Sequence, residues 1–170
     1  MQDYRSTPAP IPLLSLVAGR LLAIDAASGL LRWEKPVVET LDRVLVAGSN
    51  VFFVTCKNQQ DGHLTLFDLA TGNERGASEL GFRVTAALAT ADRVYLSGLG
   101  GLVCLTHDGA VVFRVARQVT QKSAWAGDTF DLVGIDAQNR ELWRIPDAKA
   151  ITTLSFLALG HLVAQVDFDT

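Results

Sequence analysis

The sequence predicts an all-β chain built from antiparallel hairpins. Three observations predict it: short apolar runs are broken by turn residues every several positions, the connections between runs are very short, and one hairpin pattern recurs four times. Parallel neighbours need a long crossover, so strands joined this tightly are antiparallel. That excludes βαβ folds and, with them, dinucleotide binding. Gly98-Leu99-Gly100-Gly101 superficially matches a glycine-rich phosphate loop. It leads into LVCLT, a strand pattern, where a phosphate loop needs a helix.

The first residues, 1–12, hold Pro8, Pro10 and Pro12 and form an extended lead-in. Residues 13–170 carry the repeats. Strands are expected near 13–17, 20–25, 30–35, 43–47, 51–57, 63–69, 74–79 and 83–89. Further strands follow near 93–97, 101–106, 110–116, 119–125, 129–136, 140–145, 152–158 and 161–168. Ser28-Gly29, Thr71-Gly72, Asp108-Gly109 and Gln138-Asn139 each separate two of these runs. Gly, and less easily Asn, takes the positive φ of a tight hairpin. Gly48-Ser49-Asn50 and Gly127-Asp128 punctuate other pairs.

The recurring pattern is LLAIDAASGLLRW at 21–33, LTLFDLATGNERG at 64–76, LVCLTHDGAVVF at 102–113 and LVGIDAQNRELW at 132–143. The first two copies align without gaps, as do the last two, whose turn is one residue shorter. Each copy is a strand, an acidic or polar residue, a tight turn and a second strand ending on a large residue: Trp33, Phe113 and Trp143, with Gly76 in the second copy. The turn residues Gly29, Gly72, Gly109 and Asn139 lie 43, 37 and 30 residues apart. A four-stranded antiparallel unit of about forty residues is the length of a propeller blade. Such a unit cannot bury its own faces, so stacked neighbours supply the core and an indole at a fixed point fills the gap between sheets. The sequence therefore predicts an all-β β-propeller of antiparallel blades, about four per chain. Three forms of closure stay open: a fragment, a small closed ring, and half of a larger ring completed by a second chain. Strands at both ends of the chain are suited to finish one blade together, and by the same offset two chains could exchange ends.

The recurring acids Asp25, Asp68 and Asp136 stand just before tight turns, where a carboxylate accepts hydrogen bonds from turn amides. Local capping is their expected role, and packing is that of Trp33 and Trp143. His63, His107 and His161 fall in separate units, with no GxSxG or HExxH constellation beside them. Cys56 and Cys104 lie in strand-like runs; buried free thiols are expected, and a long-range disulfide would need neighbouring strands. With no CxxC and three histidines there is little material for a zinc site.

Of the 170 residues, 49% are apolar and 19% charged, the balance of one domain with a real core. A formal net charge of -3 and a pI of 5.5 give no general attraction to nucleic acid or anionic membrane. No run reaches the length of a membrane span, and the start lacks an export signal, so a cytoplasmic location is expected if residue 1 is the native start.

The pattern A-x-D-x-x-T/S-G-x-x-x-W resembles the repeats of quinoprotein-type (PQQ-like) β-propellers, seen also in outer-membrane assembly lipoproteins of the same fold. Ala23, Asp25, Ser28, Gly29 and Trp33 match it in full. Asp68, Thr71 and Gly72 match without the Trp, Asp136 and Trp143 match around a shortened turn, and Gly109 and Phe113 remain in the third copy. The resemblance implies structural docking for the Trp and Gly positions. Quinoprotein dehydrogenases of this family hold pyrroloquinoline quinone over calcium and often carry a disulfide between adjacent cysteines. No vicinal cysteine pair exists here, and no motif matches the calcium ligands. The expected function is a non-enzymatic scaffold or interaction module with no cofactor. Its expected partner is another protein, with self-association completing the propeller. Arg32, Arg75, Arg93, Arg114 and Arg144 are candidates for a partner surface. A quinone-dependent oxidoreductase, or a remnant of one, is the alternative.

Overall fold

The computed structural model describes residues 12–57, 61–98, 101–121, 129–148, 150–156 and 162–167. The Pro-rich lead-in up to residue 11, the Gly127-Asp128 turn, residues 122–125 of an expected strand and His161 lie outside them. Every described element is a strand. β1 (Leu13–Val17), β2 (Arg20–Ile24) and β3 (Leu31–Pro36) form a three-stranded antiparallel sheet in that order. β4 (Thr40–Ala47), β5 (Asn50–Lys57), β6 (Asp61–Asp68) and β7 (Glu74–Glu79) form a four-stranded sheet. β8 (Ala86–Ala89), β9 (Arg93–Gly98), β10 (Gly101–Thr106), β11 (Val111–Gln121), β12 (Thr129–Asp136) and β13 (Glu141–Ala148) form a six-stranded one, and β14 (Ala150–Phe156) pairs with β15 (Leu162–Asp167). Neighbours in every ladder are consecutive in the chain and antiparallel, as the short connections require.

The repeated hairpins are β2–β3, β6–β7, β10–β11 and β12–β13. All four have the same construction. The turn residues Gly29, Gly72, Gly109 and Asn139 have φ of 72°, 72°, 87° and 61°. In each ladder the register slips next to the turn, at Ala23/Ile24, Leu66/Phe67, Cys104/Leu105 and Gly134/Ile135. A left-handed residue followed by a one-residue slip is the bulged hairpin that loops of this length favour.

Sheets stack face to face through the second one. β5 is buried along almost its whole length, with alternate residues facing opposite ways. Val51 and Phe53 join Leu21, Ala23, Trp33, Phe67 and Leu69 in a core against the first sheet. Phe52 and Val54 join Leu64, Leu66, Phe82, Val84, Val94, Leu96, Val103 and Leu105 in a core against the third. β4 and β8 run close together without pairing, so corresponding strands of neighbouring sheets lie side by side.

Two expectations need correction. The runs 110–116 and 119–125 were expected as separate strands, yet β11 continues unbroken to Gln121. No Gly or Pro interrupts Ala116-Arg117-Gln118-Val119, and Phe113–Ala116 pairs with β10 on one side and β12 on the other. The fourth hairpin therefore extends the third sheet and does not begin one of its own. Nor do the two ends of the chain pair: among the described strands β1 bonds only to β2, and β14 and β15 only to each other.

Candidate functional site

Three of the four copies share a turn acid. Asp25 Oδ1 accepts from the Ala27 amide (3.0 Å), the Ser28 amide (2.9 Å) and the Ser28 hydroxyl (3.0 Å), while Oδ2 takes the Arg32 guanidinium, with Nε at 3.2 Å. Asp68 repeats this with Ala70 N (3.0 Å), Thr71 N (2.8 Å) and Thr71 Oγ1 (3.0 Å), and with Arg75 on its second oxygen. Asp136 accepts from Gln138 N (2.9 Å), Arg140 N (2.8 Å) and Arg140 Nε (2.7 Å). In the third copy the Thr106 hydroxyl stands in for the acid, accepting from Ala110 N at 3.0 Å and donating to Asp108. Capping, as expected, is what these carboxylates do.

Their ionisation follows from the same contacts. The Arg32 guanidinium, then the Ser28 amide and hydroxyl, hold Asp25 far below the ordinary carboxylate value. The Thr71 amide, then Arg75, hold Asp68 down at about 2. The Arg140 amide lowers Asp136 in the same direction. A carboxyl whose folded pKa is depressed contributes stability that is complete above its unfolded value and is lost as pH falls through the folded one. For Asp68 that window runs from about 4, the unfolded value, down to about 2. Thermal melts across it should show a falling Tm, and Asp68→Asn should flatten part of that slope.

The candidate surface arginines carry polar partners: Arg75, Arg114 and Arg144 are exposed, Arg93 is half-buried, and Arg32 is the most covered of the five. Arg32 is largely covered, its side chain 24% exposed on Asp25. Arg75 is tied to Asp68, Arg114 donates to Asn139 Oδ1 (2.6 Å), Arg93 to the Asp92 carbonyl (2.9 Å), and Arg144 to Glu141 and Asp131 (2.6 Å each for its terminal nitrogens). Sequence reasoning missed the Asp–Arg pairing. Its signal was an Arg seven residues after the Asp in both gapless copies.

The docking position explains the glycine and the tryptophan together. Trp33, 8% exposed, donates its indole N–H to the Leu69 carbonyl at 3.0 Å. Its ring lies against Gly72, where an added Cβ would sit 2.7 Å from two ring carbons. The closing residue of one unit thus packs on the turn of the next. Across its own ladder, Trp33 faces a small residue, Ala23. Phe113 faces Cys104 and Trp143 faces Gly134, and the second copy reverses the sizes, with Leu66 facing Gly76. Trp143 departs from expectation. It is 39% exposed and lies across Gly134 of its own sheet, not on a neighbouring turn. The reason is local: its hairpin continues the third sheet.

The second seam, between the second and third sheets, lacks an indole because position 76 is Gly. Leu66 reaches across in its place, 3.0 Å from where a Cβ on Gly109 would stand. An open cleft of about 140 Å³ remains, bounded by Leu64, Leu66, Arg75, Gly76, Ala77, Ser78, Asp108 and Gly109. Along the same seam, and sharing Ser78, lies a second cleft of about 380 Å³ with Leu80, Phe82, Leu102, Val103 and Val115 in its walls. These two clefts are the candidate site.

The remaining chemistry-bearing residues are dispersed. His63 Nδ1 lies 3.0 Å from Glu79 Oε1, and His107 Nε2 lies 3.0 Å from the Thr90 carbonyl. Cys56 and Cys104 are free and buried, as expected, and burial raises the pKa of the Cys104 thiol. Among the described residues no group of three His, Cys, Asp or Glu could hold a metal, and no helix is long and apolar enough to cross a membrane.

Three solved structures are similar in outline. BamB from Moraxella catarrhalis is 18% identical with a TM-score of 0.46, covering 91% of this chain and 57% of that one. An uncharacterised protein of Listeria monocytogenes EGD-e is 6% identical (TM-score 0.43, covering 82% and 51%), and a europium-containing methanol dehydrogenase is 13% identical (TM-score 0.46, covering 91% and 44%). The chain spans about half the length of these proteins. No curated protein matches it. The family described as outer membrane protein assembly factor BamB matches residues 13–78, the stretch that holds Asp25 and Asp68, both gapless turns and the Trp33–Gly72 dock. Over those residues, and through those repeats, the chain is similar to the BamB-type, PQQ-like β-propeller family.

Proposed function

We propose that the chain is a non-enzymatic scaffold that binds another protein. One observation carries this reading: the residues that recur from unit to unit are committed to the chain itself. The turn acids hold their own amides and arginines, and the Trp33 N–H holds the Leu69 carbonyl. What varies between units is the rim and the seams, where loops on a rigid scaffold carry recognition. The matched family is named for protein assembly, which supports a role alongside other proteins. A photocrosslinking residue placed at the exposed turn positions 27, 73 and 138 in the source cells should give adducts of discrete mass with one other polypeptide. Absence of adducts at all three positions would defeat the proposal. Pyrroloquinoline quinone with calcium should leave Tm unchanged; a shift of several degrees would favour the oxidoreductase reading.

The blades are proposed to form half of a ring completed by a second copy. Three features support this. Among the described strands the first sheet has three where the second has four, β1 pairs only with β2, and it carries the exposed side chains Leu13, Leu16 and Val17. Gly29 has nothing within 4 Å of an added Cβ, unlike Gly72 under its indole. Trp143 stands partly exposed. Light scattering at micromolar concentration should give twice 18.3 kDa, and a mass near one chain would sink the idea.

A further inference from the structure

We propose that the cleft at the second seam is a binding slot for one planar aromatic ring of indole size. The two seams are built on the same plan and differ at one point. At the first, the closing residue Trp33 fills the space over the next unit's turn and its N–H meets a backbone carbonyl. At the second, Gly76 occupies the closing position, and nothing lies within 4 Å of where its Cβ would be. The receiving turn is nevertheless retained: Gly109 keeps a φ of 87° and a glycine's flat surface. Leu66 covers part of that turn, and an open cleft of about 140 Å³ is left beside it, where the first seam has its indole.

The walls select the ligand. Leu64 and Leu66 offer methyl groups, and the two glycines offer backbone against which a flat ring packs closely. Arg75, held by Asp68, places a cation beside the slot, which favours an electron-rich π face. Asp108, with one oxygen engaged by Thr106, offers a carboxylate to a ring N–H. An indole meets each of these demands, whereas a saturated ring of equal volume meets only the first. The occupant is a tryptophan side chain presented by another polypeptide, the counterpart of Trp33 at the first seam. The slot's existence does not depend on the scaffold reading.

The test is a titration of the intact ¹⁵N-labelled chain with indole, read by amide chemical shifts. Shifts should concentrate at residues 64, 66, 75–78, 108 and 109 and saturate at about millimolar indole, as expected of a nine-atom ligand. The control is the pair Leu66→Ala with Gly76→Trp, which rebuilds the first seam's small-opposite-large arrangement. Its Tm should match or exceed that of the parent, showing that it folds, while indole affinity drops at least about tenfold, the ring's place being taken. Absence of shifts up to the solubility limit, or an undiminished response in the folded double variant, overturns the proposal. N-acetyl-tryptophanamide, an indole carried on a backbone fragment, should displace indole from the same residues; indole binding that it does not displace overturns the side-chain occupant.

Discussion

Trp33→Ala should lower the chain's stability by about 3–5 kcal/mol, the usual cost of deleting a large buried aromatic. Two losses combine. The indole is 8% exposed between two sheets, and burying about 200 Å² of it is worth at most about 5 kcal/mol. Its removal also strips the Leu69 carbonyl of its donor at a seam that water reaches poorly. For a chain of this size the change corresponds to a Tm lower by about 10 °C, measurable by circular dichroism. Trp33→Phe, which keeps one ring but loses the N–H and the second ring, should recover only part of it. Trp143→Ala should cost clearly less, because that side chain is 39% exposed on its own sheet. Equal losses at the two tryptophans would mean that the indole of Trp33 does not close a seam.

Gly72→Ala should destabilise by a similar amount through one methyl group. The new Cβ would enter the Trp33 ring from 2.7 Å, and the backbone would hold an L residue at a φ of 72°. The second effect alone costs about 1–2 kcal/mol, and displacing a packed indole adds about 1–3 kcal/mol. Two other glycines separate the terms. Gly29 has the same φ and nothing near its Cβ, so Gly29→Ala reports backbone strain alone. Gly76 has neither a positive φ nor a neighbour, so Gly76→Ala should be nearly neutral. Denaturant unfolding of the three variants should rank them Gly72, Gly29, Gly76 in order of loss, and a Gly72 variant no worse than Gly29 would remove the docking contact from the account.

Much of this was legible in the sequence because hairpins announce themselves locally. The positive φ at Gly29, Gly72, Gly109 and Asn139 follows from which residues tolerate it, and the caps at Asp25, Asp68 and Asp136 follow from a carboxylate beside free turn amides. What escaped was non-local or relational. That Arg32 answers Asp25 and Arg75 answers Asp68 needed the two aligned copies to be compared column by column. The same comparison would have shown Ala23, Cys104 and Gly134 as small partners of aromatics, and the Leu66–Gly76 reversal that opens the candidate site. The exposure of Trp143 was beyond such reading. A tryptophan at the recurring position reveals what it is shaped to meet, and only the assembled sheets determine whether a neighbour stands there. The break expected between 110–116 and 119–125 failed for a simpler reason, since two residues without a breaker, Arg117 and Gln118, look the same in a strand as between strands.

The two-sided burial of β5 has a genetic corollary. Phe52 and Phe53 are adjacent in the chain, yet they serve opposite cores, so double-mutant cycles between them should give weak coupling. Trp33 and Gly72, remote in sequence, share one contact and should be strongly non-additive. Tolerated change in such a chain would spread through pairs that straddle a seam, and proximity along the polypeptide would be a poor guide to which substitutions compensate one another.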